Sequence, residues 1–344
     1  MKNQIVTPPP PQNERRTGLD LIRIFACLFV VVVHVACQGF YEFSNFWKIC
    51  AKFDAAVRLC VPLFFILSGY LLFNGEDFQL GRFLKKRFAR ILLPFFAILV
   101  AYIFVRHWEI KEWLINCFTG KVEGHLWFIY ALVGLYLTVP LFMPLFNNQN
   151  GLKIVCFYIL LWLLSAVFYP YLKRYFEWYF NPFEQFNFHY FFGYLGFFFL
   201  GGLLRHIKTT PIWRWFCFAI YILASVLIYK FTKIYSYQLG LPNTLFVEYL
   251  SPLVVLQSIA FFLALKDIEF KNRFISFLAQ HTYWMYLGHS VVMQKIQVLA
   301  DIWVKENTLW NIIILSLSTF LISFLFSLPA FRVEQFVFKK LNFQ

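Results

Sequence analysis

The chain is poor in charge. Only 14% of its 344 residues are Asp, Glu, Lys or Arg, and just 17 are acidic, whereas soluble domains carry about a quarter charged residues. The charge that is missing is replaced by apolar runs: 60% of the residues are hydrophobic, which excludes an ordinary soluble body and defines a membrane protein. Cysteine is scattered and odd in number, seven in all, with no C-x-x-C or other metal-ligand spacing. A disulfide framework and a zinc site both lack a basis. Cys27, Cys60, Cys156 and Cys217 sit inside apolar segments and read as small hydrophobic residues. There is no Gly-rich phosphate loop, no G-x-S-x-G elbow, no repeat period and no soluble stretch between the apolar runs. ATP hydrolysis, nucleophile-elbow chemistry and a bound metal are therefore not expected.

What is present is a series of hydrophobic segments. A bilayer core needs roughly 20 apolar residues per helix. Ten spans are expected, at 19–40, 54–73, 91–106, 126–146, 154–170, 189–204, 215–232, 247–265, 275–297 and 310–330. The expected fold is an all-α polytopic bundle. The polar, Pro-rich residues 1–18 are expected to be a disordered cytoplasmic tail, not a cleaved signal, and 333–344 a C-terminal tail. The net charge of +14 reads as positive-inside bias, not as nucleic-acid binding. With an internal N-terminus, 18 Lys and Arg fall on the cytoplasmic side and 10 outside, with Arg23, Arg58 and Lys295 inside spans. That places both termini in the cytoplasm.

The polar residues inside spans are the informative ones. Arg23 and His34 are 11 residues apart in the first span, about three helical turns plus 20°, so both leave one face with a rise of about 16 Å between them. Arg23 could snorkel to the inner headgroups or pair with Asp20, and His34 could be a buried structural histidine. Arg58 is expected at the depth of His34, either free to act or paired with Asp54 at i,i+4. Pro62, Ser68 and Gly69 would permit a kink or a close helix approach. Arg87 and Arg90 share a face and could bind phosphate oxygens or simply lipid headgroups. His125 and Trp127 are candidate pocket groups at the outer interface, where aromatic belts alone would account for the Trp; His289, well inside the ninth span with Tyr286 three residues before it, is either a buried structural partner or a pocket group. Trp47, Trp108, Trp113, Trp178 and Tyr179 in the outer segments could stack on sugar rings.

Five stretches together carry a resemblance: "GLDLIRIFACLFVVVVH", "VPLFFILSGYLL", "KKRFAR" before "ILLP", "HLWFIYALVGLYLTVP" and "FISFLAQHTYWMYLGH". From about residue 18 to 332 the chain resembles membrane acyltransferase family 3, most of all its compact members of the enterobacterial common antigen O-acetyltransferase type. The resemblance implies a bacterial inner-membrane enzyme that moves acetyl from cytoplasmic acetyl-CoA to a hydroxyl of an extracytoplasmic glycan or lipid-linked oligosaccharide. It implies His34 and Arg23 as the catalytic pair, Arg87 and Arg90 as the R-x-x-R of the inner loop, and Ser68 and Gly69 as the S-G-F motif, with Tyr70 in place of Phe. An imidazole suits proton transfer from an acceptor hydroxyl, or could carry the acyl group. Arg23 and Arg58 would orient the donor. A transporter or flippase for a lipid-linked sugar or small anion is the competing expectation, since buried Arg and His also suit an anion or proton pathway.

Overall fold

The computed structural model describes residues 17–43, 45–73, 79–176, 193–303 and 308–340. Residues 1–16 of the expected N-terminal tail, Trp178, Tyr179 and the first part of the 189–204 span lie outside these residues, while Thr17 and Gly18, expected as tail, already belong to the first helix. All regular structure among the described residues is helical, with no strand. Eight helical segments are long and apolar enough to cross a membrane. They match eight of the ten expected spans. The other two differ for separate reasons. Of 189–204, the described helix covers Leu195–Leu204. The 275–297 span becomes a 31-residue helix, Arg273–Trp303. It has the length but not the apolarity, because Gln280, His281, Thr282, His289 and Gln294 interrupt it.

The helices are α1 (Thr17–Tyr41), α2 (Trp47–Val57), α3 (Cys60–Leu72), α4 (Leu80–Arg106), α5 (Ile110–Thr119), α6 (Trp127–Phe142), α7 (Gln149–Trp162), α8 (Tyr169–Phe176), α9 (Leu195–Leu204), α10 (Pro211–Leu239), α11 (Pro252–Leu265), α12 (Arg273–Trp303) and α13 (Thr308–Lys340). The second expected span is broken into α2 and α3 at Arg58–Leu59. Pro62 explains the break. It has no N–H to give the Arg58 carbonyl four residues back, and its ring crowds that oxygen. A wide π-turn at Leu163–Phe168 joins α7 to α8 just before Pro170. The basic 82–90 segment is part of α4, so Arg87 and Arg90 sit on a helix continuous with the membrane segment. Residues 333–340, expected as tail, continue α13.

α1 is the centre of the bundle, packed on α2, α3, α11, α12 and α13. It runs parallel to α12. Asp20 accepts from Ser276 Oγ at 3.0 Å, Cys27 Sγ approaches Thr282 O at 3.6 Å, and Gln38 and Gln297 exchange amide bonds at 2.8 and 3.0 Å. The pairs advance in the same direction along both helices. α3 and α9 cross so closely that glycine is required on both sides. A Cβ on Gly69 would strike the main-chain oxygen of Phe198, and one on Gly201 the oxygen of Ile66. Small residues allow such approaches where lipid supplies no hydrophobic drive between helices.

Candidate active site

A cavity of about 550 Å³ opens between α1, α3, α4, α6, α12 and α13, a size ordinary for small-molecule sites. Arg23, Arg87 and Arg90 line it, with Ser68, Tyr136, Gln280, Tyr283, Trp284 and Glu334; Phe64, Phe128 and Tyr286 form apolar and aromatic wall. Residues 67 apart in sequence, Arg23 and Arg90, thus meet at one chamber. Arg23 donates to Asp20 at 2.6 Å and keeps about a third of its side chain exposed. The Asp20 pairing and the cavity-facing position therefore hold together. Trp284 Nε1 donates to Glu334 at 2.6 Å, and that carboxylate acts electrostatically on Arg90. Tyr283 is fixed by donating to the Ile91 carbonyl at 2.8 Å.

Beyond this chamber lies a cluster of three histidines from three separate helical elements. His34 comes from α1, His289 from α12, and His125 from the one-turn 3-10 helix Gly124–Leu126 that leads into α6. The ring centroids of His34 and His289 are 5.2 Å apart, His125 and His289 4.6 Å, and His34 and His125 6.1 Å. His125 and His289 are buried, while His34 is partly exposed. Tyr286 joins the two regions. Its ring lines the cavity, lies 5.6 Å from His125 and 5.8 Å from His289, and its hydroxyl donates to the His125 carbonyl.

The remaining candidates go elsewhere. His34 is not itself a wall of the chamber; its ring lies against His125 and His289, which in turn pack beside Tyr286. Gly69 does not face the chamber either, because it is the spacer against α9. Arg58 is buried and bonded to Asp54 at 2.9 Å, and its guanidinium lies 5.6 Å over the Tyr249 ring. Its charge still acts on His34, but it lines no part of the chamber. Trp127 stacks in an aromatic group with Tyr194 at 5.2 Å and Tyr249 at 5.9 Å. Of the outer tryptophans, Trp47 is buried, and Trp113 is tied to the Leu99 carbonyl at 2.7 Å. His281 is a structural histidine, bonded to the Phe277 carbonyl at 2.8 Å and packed on Phe324 and Phe331. Sequence reading did not single out Glu334, Trp284, Tyr283 or Gln280. Gln280, Tyr283 and Tyr286 recur every three residues, a stripe that drifts about 60° per step and lines the chamber; that spacing was the available signal on α12.

A family model described as an acyltransferase domain, that of acyltransferase family 3, matches residues 16–328. The chain belongs to this acyltransferase family. Neither a curated protein nor a solved structure gives a match. Membership makes the protein a multi-pass membrane acyltransferase. The chamber carries three arginines, the Ser68 hydroxyl and tyrosine side chains, and Tyr286 on its wall packs beside His125 and His289. Among the described residues no group of three or more His, Cys, Asp or Glu could hold a metal ion, the three histidines included.

Proposed function

We propose that this chain transfers an acyl group, acetyl in the simplest case, from cytoplasmic acyl-CoA to a hydroxyl of an extracytoplasmic cell-surface glycan. The observation that carries the reading is the sequence of groups along one path: an arginine-lined chamber, then Tyr286, then the histidine cluster. Arg87 and Arg90 would take the phosphates of the coenzyme, for which a guanidinium fork is well shaped. Arg23 and Ser68 would steer the arm of the donor inward, so that its thioester reaches the level of Tyr286. His34 would take the proton of the acceptor hydroxyl as its oxygen attacks the thioester carbon, and return a proton to the departing thiolate. The exchange is balanced, ester and thiol for alcohol and thioester. Parallel α1 and α12 support a topology in which both cross in the same direction, as ten spans with both termini inside require. The inner membrane of a bacterium is the matching location.

The test is acyl transfer by the purified chain in nanodiscs, using radiolabelled acetyl-CoA and total envelope glycan as acceptor. Label in glycan, lost in His34→Ala, supports the reading. Movement of glycan across a vesicle bilayer with no covalent label would reject it in favour of a flippase.

A further inference from the structure

The mechanism above needs one histidine, yet the bundle buries two more beside it. Their hydrogen bonding gives them a defined chemical character. His289 Nδ1 lies 2.6 Å from the Tyr286 carbonyl, and a carbonyl oxygen only accepts, so Nδ1 carries the hydrogen. His125 bonds to the main chain of Leu287, and its Nε2, like that of His289, is buried without a partner. In both rings the backbone bond fixes the tautomer. Each is left with a bare Nε2 lone pair that can accept a proton but not donate one. An unpaired buried acceptor destabilises the fold, and here there are two, on different helices, with ring centroids 4.6 Å apart. Packing alone does not call for histidine at these positions, since an apolar ring would fill the same space without that cost.

We propose that His289 and His125 are a proton relay behind His34. This rests on the acyltransferase reading and adds to it. The order follows the distances: His34 to His289 is 5.2 Å and His289 to His125 is 4.6 Å, whereas His34 to His125 is 6.1 Å. When the acceptor hydroxyl gives its proton to one nitrogen of His34, the N–H on the other nitrogen closes on His289 Nε2, to which it is not hydrogen-bonded at rest, and passes its proton there. His289 becomes a cation that keeps its Nδ1–H bond to Tyr286. His125 Nε2 stands next in line to share that charge. When the carbon–sulfur bond breaks, the same proton returns through His34 to the thiolate. No proton is consumed, and no oxidant or further reactant enters. Exposure fits the division of labour, since His34 is the partly open ring while His125 and His289 are buried. The relay residues act through His34, so they are positioning and proton-holding groups that need not touch substrate.

The experiment measures thiol release from acetyl-CoA by the full chain in nanodiscs with total envelope glycan. It compares wild type, His289→Ala and His125→Gln. Loss of a relay should lower kcat about a hundredfold, the lower range for general acid–base groups, while KM for acetyl-CoA stays within a factor of about two. Added imidazole should restore turnover to His289→Ala, and pyrrole, of the same shape but without a proton-accepting nitrogen, should not. His125→Gln runs the kcat test in a chain whose α12 is unaltered, so it decides the matter should His289→Ala not fold. Equal rescue by pyrrole, or wild-type kcat in His125→Gln, overturns the relay. If the wild type releases no thiol at all, it is the acyltransferase reading that fails instead.

Discussion

Gly69 separates two explanations of the Ser68–Gly69 pair, a donor-binding motif or a spacer between helices. The structure points to a divided role. Ser68 lines the chamber, and Gly69 turns away to meet the Phe198 carbonyl on α9. The perturbation is Gly69→Ala. The added methyl overlaps a main-chain oxygen, which cannot swing aside as a side-chain tip would, so α3 and α9 must separate. Overpacking costs about 1–3 kcal/mol, and a clash with backbone belongs at the upper end. At about 2.1 cal/mol/K of unfolding entropy per residue, a chain of 344 residues shifts about 1.4 °C per kcal/mol, so the loss is roughly 4 °C in Tm. Gly134→Ala is the control. That glycine lies on α6 with nothing within 4 Å of a built Cβ, so the change should be neutral or gain up to about 1 kcal/mol of helix propensity. The assay is thermal unfolding in detergent, followed by size-exclusion fluorescence, with and without saturating acetyl-CoA. Expected is a fall in Tm for Gly69→Ala that persists with ligand, no fall for Gly134→Ala, and a normal Tm but weaker ligand shift for Ser68→Ala. A Gly69→Ala chain that melts with the wild type and has lost its ligand shift would refute the spacer argument.

Four further outcomes are expected. Arg87→Ala and Arg90→Ala should each raise KM for acetyl-CoA about 10- to 150-fold, the equivalent of a charged hydrogen bond worth about 1.5–3 kcal/mol, with kcat nearly unchanged in steady-state assays. His34→Ala should lower kcat about 10²- to 10⁴-fold while leaving acetyl-CoA binding, read by thermal shift, intact. Asp54→Ala should cost about 3–5 kcal/mol in thermal stability by stranding the buried Arg58 charge, and a joint Asp54→Leu, Arg58→Met change should recover much of it. Asp267, outside the spans, is the pH-sensitive tie between the 204–211 and 265–272 connections. Burial alone would raise its pKa, but bonds from Lys266 and Thr209 outweigh burial and hold the carboxyl below the ordinary range. A depressed folded pKa stabilises above the unfolded value of about 4 and is lost as pH falls through the folded value; Asp267→Asn should therefore flatten the decline in Tm between about pH 5 and 3.

How much of this was legible in the sequence depended on the kind of residue. Helical spans announce themselves by length and apolarity, so eight segments fell on their helices, although some helices run well past the expected limits, starting at Leu80 where 91 was expected and ending at Lys340 where 330 was. The break at Arg58 was half visible: Pro62 was read as a kink, but the Asp54 pairing was only one of two options, and geometry alone chose it. The 11-residue spacing of Arg23 and His34 predicted one face, and of the two only Arg23 lines the chamber. What it could not give was Tyr286 on the chamber wall, since that residue comes from a helix 250 residues later in the chain. His125 and His289 were recognised as possible pocket groups, but their convergence on His34 is a tertiary fact. Gly69 was the opposite case. A glycine beside a serine in a motif looks chemical, and only the α9 backbone across from it reveals a spacing role.

The polar content of α12 explains why the path exists. A helix bearing Gln280, His281, His289 and Gln294 is poorly suited to face lipid tails, where such groups need a protein partner or an internal cavity. The bundle accordingly encloses it: from His281 to Ser290 nearly every residue is buried, against α1 on one side and α13 on another. Tyr283, Tyr286 and His289 are three residues apart, rising about 4.5 Å at each step. They form a ladder from the chamber to the histidine cluster. α1 carries Arg23 and His34 over a longer rise, about 16 Å against about 9 Å from Tyr283 to His289, and the Asp20–Ser276 and Gln38–Gln297 bonds hold the two helices parallel at both ends. Two polar stripes run side by side, one permanently cationic at its base and both imidazole-bearing at the top. In the proposed function an anionic donor would enter at the arginines and react at the histidines. Were the helices antiparallel, Arg23 would stand beside His289 and no such gradient would form. The parallel register is thus the feature of the fold on which the proposed direction of transfer rests.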